Sequence, residues 1–293
     1  MRRFCIASVI LFAAFTPTLW DLLHYCLRED LFSYILLVPL ITGFMIPRSW
    51  RDFELRFVPS SRIALAIGII AALVLALSFR HVGALGSPYP NSLSLRMLSF
   101  VLGWIAIAVW TLGRRLMSCL IFQAAFLIFM IPLPPAAVET LEWGLQHASA
   151  EVSSWFFPLA NVPFFRVGLA FQLPNITIQV APQCSGIRST LVLFITSLLA
   201  GYLYLERPWQ RAALAALVIP LGILRNALRI VTIGWLCTRH GPEMIDSPIH
   251  HRGGPVFFAV SLLPLLVMLV LFRKFGKASG HFAPPPPDQP KDA

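Results

Sequence analysis

Residues 211–237 read RAALAALVIPLGILRNALRIVTIGWLC. Apolar side chains fill this run almost from end to end, yet Arg225 and Arg229 stand in its second half. A helix crossing about 30 Å of hydrocarbon needs roughly 20 such residues, so the run reads as a membrane span. It is longer than one simple crossing requires and holds Pro220 and Gly222, which predict a kink or a break. A charge within a span costs roughly 2.5–3.5 kcal/mol on insertion scales, which makes both arginines functional candidates. Four residues apart, they share one helix face, with Asn226 beside them. The neighbouring apolar runs carry no acid to pair with them, and Arg229 is followed by mostly apolar residues. The pair is therefore read as facing a polar cavity rather than snorkelling to headgroups or neutralising a buried carboxylate.

The rest of the chain has the same character. Of its 293 residues 57% are hydrophobic and 12% charged, against about 25% charged in soluble domains. Apolar runs at 4–23, 31–46, 63–79, 97–112, 116–133, 187–205, 211–237 and 255–272 predict an all-α polytopic membrane protein with about eight transmembrane helices. The basic amino terminus, MRRFCIASVILFAAFTPTLW, lacks a convincing small-residue cleavage site and reads as an uncleaved first span. The net charge of +10 comes from clusters between apolar runs, a pattern for membrane lipids and topology and not for nucleic acid.

Fourteen of the 23 basic residues, including all three lysines, fall on one side of the membrane when the amino terminus is placed inside. Both termini are therefore expected in the cytoplasm. Four regions follow: N-terminal transmembrane helices over 1–133, an extracytoplasmic segment over 134–183, further helices over 184–275 and a Pro-rich disordered cytoplasmic tail over 276–293. Within the extracytoplasmic segment, AAVETLEWGLQHASAEVSSWFF spaces Leu141, Leu145, Val152 and Phe156 as an amphipathic surface helix would. RVGLAFQLPNITIQVAP alternates about Pro174-Asn175 as a β-hairpin would. There is no internal repeat of the kind that marks many transporters. Cys5, Cys26, Cys119, Cys184 and Cys237 lie apart, without metal-ligand or disulfide spacing, and no cofactor is called for.

Two further stretches lie on the outer side. VAPQCSGIRST (180–190) sets Cys184 at or just before the start of a span, with Ser185 as a possible cap. Unpaired helix N–H groups stabilise a thiolate there. Arg188, four residues on, is expected on the same helix face, and Gly186 permits close approach of another backbone. DSPIHHRGGPVFF (246–258) brings His250, His251 and Arg252 to the start of the last span. Adjacent histidines point in different directions and no third ligand is well spaced, so they do not read as a zinc site. A thiol, an imidazole and a guanidinium are the parts of acyl transfer: attack on a carbonyl, protonation of the leaving amine, and stabilisation of the oxyanion.

These stretches resemble the exosortase/archaeosortase family of membrane-embedded, sortase-like transpeptidases. The resemblance rests on APQCSGIRS, on NALRI with Arg229 45 residues after Cys184, and on a histidine 21 residues beyond Arg229 before GGPVFF. It covers roughly residues 163–258. It implies Cys184 as nucleophile, Arg229 as catalytic arginine and His250 as general acid/base. The doubled histidine departs from the family pattern and leaves His251 as the alternative. Arg188, Arg225, Asn226, His251 and Arg252 are then supporting or substrate-binding residues. The family further implies a cell inner membrane enzyme acting on exported proteins with a carboxy-terminal tripartite signal: a short Pro-Glu-Pro-type motif, a hydrophobic helix and a basic cluster. Cleavage would proceed through a thioacyl intermediate with transfer to an acceptor. Two other classes compete, an anion transporter or channel built on Arg225 and Arg229, and a non-catalytic subunit of a polysaccharide or protein export system.

Overall fold

The structure is a computed structural model that describes residues 2–45, 61–85, 91–113, 117, 120–181, 185–246 and 254–278. Ten α-helices run in chain order: α1 (Arg2–Ala14), α2 (Thr16–Arg28), α3 (Val38–Met45), α4 (Ser61–Leu85), α5 (Asn91–Leu112), α6 (Ile121–Phe126), α7 (Pro135–Leu159), α8 (Ile187–Tyr204), α9 (Pro208–His240) and α10 (Gly254–Ala278). Short 3-10 turns at Asp30–Leu37, Leu127–Met130 and Pro242–Asp246 extend α3, α6 and α9. Three strands, β1 (Phe165–Val167), β2 (Ala170–Gln172) and β3 (Thr177–Gln179), interrupt the helices between α7 and α8. The protein is an all-α polytopic membrane protein carrying one small sheet.

Five of the described helices, α4, α5, α8, α9 and α10, are long and apolar enough to cross a membrane. Counting Arg2–Ala14 with Thr16–Arg28, and Ile121–Met130 with Pro135–Leu159, as single bent spans raises the number to seven. Asp30–Met45 is a shorter apolar helical segment, so each of the eight apolar runs of the sequence falls on one of these helical stretches. The two most apolar spans, α4 and α10, are the least buried, at 17% and 11% of their most apolar windows, against 56% for α5 and 50% for α9. Lipid sets this order: between helices in a bilayer there is no hydrophobic drive, so apolar surface stays outside and small or polar residues occupy the contacts.

The chain divides into two compact units, Met1–Glu139 and Thr140–Ala293. In the first, α4 lies along α5, and the buried face of α5 includes Ser92, Ser94, Ser99, Ala106 and Ala108. Ser99 Oγ donates to the Ala71 carbonyl of α4 at 2.9 Å. Gln123, buried on α6, donates to the carbonyl of Met45 at the end of α3, 3.0 Å away. Rings from α1 stack edge-on against α5, Phe4 on Trp104 and Phe12 on Phe100.

In the second unit, α9 is the central helix and carries two apolar layers. Near its start, Leu214 and Val218 pack with Leu193 and Leu205 from the α8 side and with Leu265 of α10. Near its end, Ile230, Val231, Ile233 and Cys237 pack with Ala150 and Phe157 of α7 and with Phe171 and Ile178 of the sheet. Phe157, Phe164 and Phe171 form an aromatic trio with centroids 5.0–5.8 Å apart. Gly234 lets α9 into this layer, since a Cβ there would lie 2.6 Å from the Phe157 ring.

The sheet is antiparallel in the order β1-β2-β3. The expected hairpin about Pro174-Asn175 is β2-β3, and β1 adds a strand through the tight turn at Gly168, whose φ is 60°. The expected helix over 136–157 is present as α7, but its packed face differs from the Leu141/Leu145/Val152/Phe156 stripe. Gln146, Ser149, Ala150, Ser153 and Phe157 are the buried residues, and Leu141 is exposed. Small side chains allow close packing on protein, and of the bulky stripe Leu145, Val152 and Phe156 are half-buried, Phe156 against the core. Arg166 of β1 ties the sheet to α7, donating to Glu151 at 2.7 Å and to Ser154 at 3.0 Å.

Candidate functional site

Between the two apolar layers of α9 lies a polar stretch that runs from Gly222 to Arg229. The helix passes through Pro220 without interruption, from Pro208 to His240, so the long apolar run is one helix and not two. Pro lacks an N–H, but the surrounding packing on both sides of it holds the helical path. Arg225 is 5% exposed and Asn226 2% exposed; Arg229, one turn on, is half-buried. The spacing of four therefore puts both arginines on one face, as expected, with Arg225 the deeper of the two.

Arg225 reaches across to the start of α8. Its Nη2 donates to the carbonyl of Gly186 at 3.1 Å and to Thr190 Oγ1 at 3.3 Å. The Gly186 carbonyl also accepts from the Thr190 N–H at 3.0 Å, from Thr190 Oγ1 at 2.9 Å and from Ser189 Oγ at 3.2 Å. One carbonyl thus gathers the donors of the first turn of α8 and a guanidinium of α9. Buried polar groups need such partners, and Nη2 of Arg225 has two of them.

Gly186 is the N-cap of α8 and adopts a left-handed conformation, φ 75° and ψ 12°. A Cβ built on it would stand 3.0 Å from Arg225 Nη2 and 3.5 Å from Asn226. Gly222 has the matching role on α9, because a Cβ there would come within 2.6 Å of Thr190 Oγ1. The two glycines let α8 and α9 close onto a shared polar contact. Thr190 had no chemical signal in the sequence, its only trace being its place four residues after Gly186; Gly222 stood out only beside Pro220 as a mark of a kink or break, not as a contact.

Ser185, the possible cap, lies one residue before the N-cap position. The cap position belongs to Gly186, which makes no side-chain capping bond; Ser185, one residue earlier, is buried and its Oγ accepts the Ile187 N–H at 3.4 Å. Arg188 is exposed on the first turn of α8. Cys184, His250, His251 and Arg252 lie outside the described residues. Among the described residues no three His, Cys, Asp or Glu side chains come together as a metal site would require.

The depth of the site follows from these contacts. Gly186, two residues after Cys184, sits level with Arg225, and α9 continues from there to His240 under the sheet and α7. At about 1.5 Å per residue, the last part of α9 rises roughly 20 Å past that level. The start of α8 is therefore set well back from the end of α9 along the helix.

A family model described as transmembrane exosortase matches residues 26–267. No curated protein and no solved structure was found to match the chain.

Proposed function

The chain belongs to the transmembrane exosortase family, which supports a membrane transpeptidase role, and we propose that it is a cysteine transpeptidase-protease of exported proteins. The observation that carries the reading is the contact of Arg225 with Gly186. It brings the polar stretch of α9, with Arg229 one turn further along, to the start of α8 just after Cys184. In this reading Cys184 is the nucleophile, Arg229 the fixed cation and His250 the general acid/base, with His251 as the alternative. Arg188, Asn226 and Arg252 support the site or hold substrate.

The reaction is an acyl transfer in two halves. The Cys184 thiolate forms a bond to the carbonyl carbon of the scissile peptide, and the oxyanion is stabilised by the guanidinium of Arg229. The tetrahedral species collapses with cleavage of the C–N bond, and the departing amine takes its proton from the imidazole. The thioester that remains is attacked by an amine acceptor, which loses a proton to the same imidazole, and the thiolate leaves. A thiolate is favoured by the positive N-terminal end of α8 and by the arginines of the site.

The substrates in this reading end in a tripartite signal: a short Pro-Glu-Pro-type motif, an apolar helix that lies among the spans, and a basic cluster at the cytoplasmic face. The enzyme sits in the cell inner membrane with both termini in the cytoplasm and the site toward the outside. Co-expression with a protein bearing such a signal tests the assignment. Cys184→Ala and Arg229→Ala are expected to abolish its cleavage while the variants still accumulate in the membrane. Normal processing by Cys184→Ala would exclude cysteine chemistry.

A further inference from the structure

The acyl-transfer reading uses Arg229 as its cation and leaves unspecified what the buried Arg225, one of its supporting or substrate-binding residues, holds. A guanidinium that is 5% exposed needs acceptors for its donors or a counter-charge. Among the described residues Arg225 has only part of that: Nη2 holds Gly186 and Thr190, whereas Nη1 is buried with no hydrogen-bond partner. Neither α8 nor α9 contains an Asp or Glu. The surroundings add positive potential instead of cancelling it. At the α8 N-terminus Gly186 makes no side-chain capping bond and the Ile187 N–H is met by a side chain, Ser185, and Arg229 follows one turn later on the same face of α9. A helix start, a buried cation with one donor left over and no acid on either helix together favour an anion.

We propose that Arg225 and the first turn of α8 form an anion-binding site for an anionic oxygen of the substrate peptide, with Nη1 as the donor that meets it. Nη2, fixed on the Gly186 carbonyl, aims that donor. Arg225 is then a substrate-binding residue in addition to Arg229, and the inference rests on the proposed role of Cys184 for the identity of the substrate. Two sources supply such an oxygen, a side-chain carboxylate near the scissile bond or the oxyanion that forms during attack.

The test reads charge selectivity at Cys184 in the full-length protein, with the other four cysteines replaced by serine. Modification rates are measured with a sulfonate-bearing and a trimethylammonium-bearing methanethiosulfonate. The ratio of anionic to cationic rate is expected to exceed that of glutathione. It should fall about fivefold or more in Arg225→Gln, the effect of one unit charge at about 4 Å in water, and be largely kept in Arg225→Lys. A purely structural role would change both rates together and leave the ratio alone, which would overturn the proposal. Should Arg225→Gln fail to fold, sulfate added to the wild-type protein at constant ionic strength gives the second measurement. Protection of Cys184 relative to chloride is expected, and equal rates in the two salts overturn the site.

Processing kinetics of Arg225→Gln separate the sources. A raised KM assigns a substrate carboxylate, a lowered kcat at unchanged KM assigns the oxyanion, and unchanged values of both overturn the role. Labelling reports on the site whether or not Cys184 is the nucleophile, so its failure is distinct from that of Cys184→Ala processing.

Discussion

At Gly186 two constraints coincide: a φ of 75° and a guanidinium nitrogen 3.0 Å from where a Cβ would stand. The left-handed conformation alone costs a non-glycine residue about 1–2 kcal/mol, so Gly186→Ala should lower the unfolding temperature in detergent. Because the added methyl displaces Arg225, it should also slow substrate processing more than stability alone explains. Gly222→Ala presses on Thr190 from the other side, 2.6 Å from its hydroxyl oxygen. Thr190→Ala in the same chain is expected to recover packing, visible as a partial return of thermal stability. A double variant no more stable than Gly222→Ala would show that the contact does not limit helix approach. The types and spacing of Arg225, Asn226 and Arg229 were legible in the sequence because charge in an apolar run stands out. The contact of Thr190 with Gly222 was not, because a glycine read as a bend and a hydroxyl do not mark a contact until the opposing helix is in place.

Helices α7, α8 and α9 show how the elements were read. Hydropathy located each of them, and alternation located the β2-β3 hairpin. The side of α7 that faces protein carried no such signal: Ser149, Ala150 and Ser153 are buried, whereas the apolar stripe had marked only a surface helix. In a lipid solvent apolarity no longer marks the inside, so a soluble-protein pattern points outward. Pro220 invited a break that α9 does not have. The aromatic layer under the sheet offers a measurement at this scale. Phe157, fully buried against Gly234 and Phe171, should destabilise the unit by about 3–5 kcal/mol when replaced by alanine. Glu151→Gln removes only an ion pair whose carboxylate is 57% exposed, a change of about 1 kcal/mol or less. Urea or thermal unfolding of the two variants compares them directly, and equal losses would mean the ring layer does not hold the sheet.

Across the whole molecule, the Lys and Arg bias predicts that both termini share the cytoplasmic side. A fluorescent protein fused to either end should fluoresce, and alkaline phosphatase fused at either end should be inactive; active phosphatase at one terminus would reverse that part of the topology. Composition, the apolar runs and the order of the three motifs were enough by themselves to make this an all-α polytopic membrane protein and to mark a family resemblance, because hydrocarbon thickness and the cost of buried charge act on local sequence. The register between α8 and α9 was decided only by tertiary structure. It puts Gly186 level with Arg225, makes glycine the cap in place of serine, and joins Thr190 and Gly222 to the contact. Those relations depend on how far two helices slide past each other, which side-chain volume and shared hydrogen bonds settle only when both helices are packed.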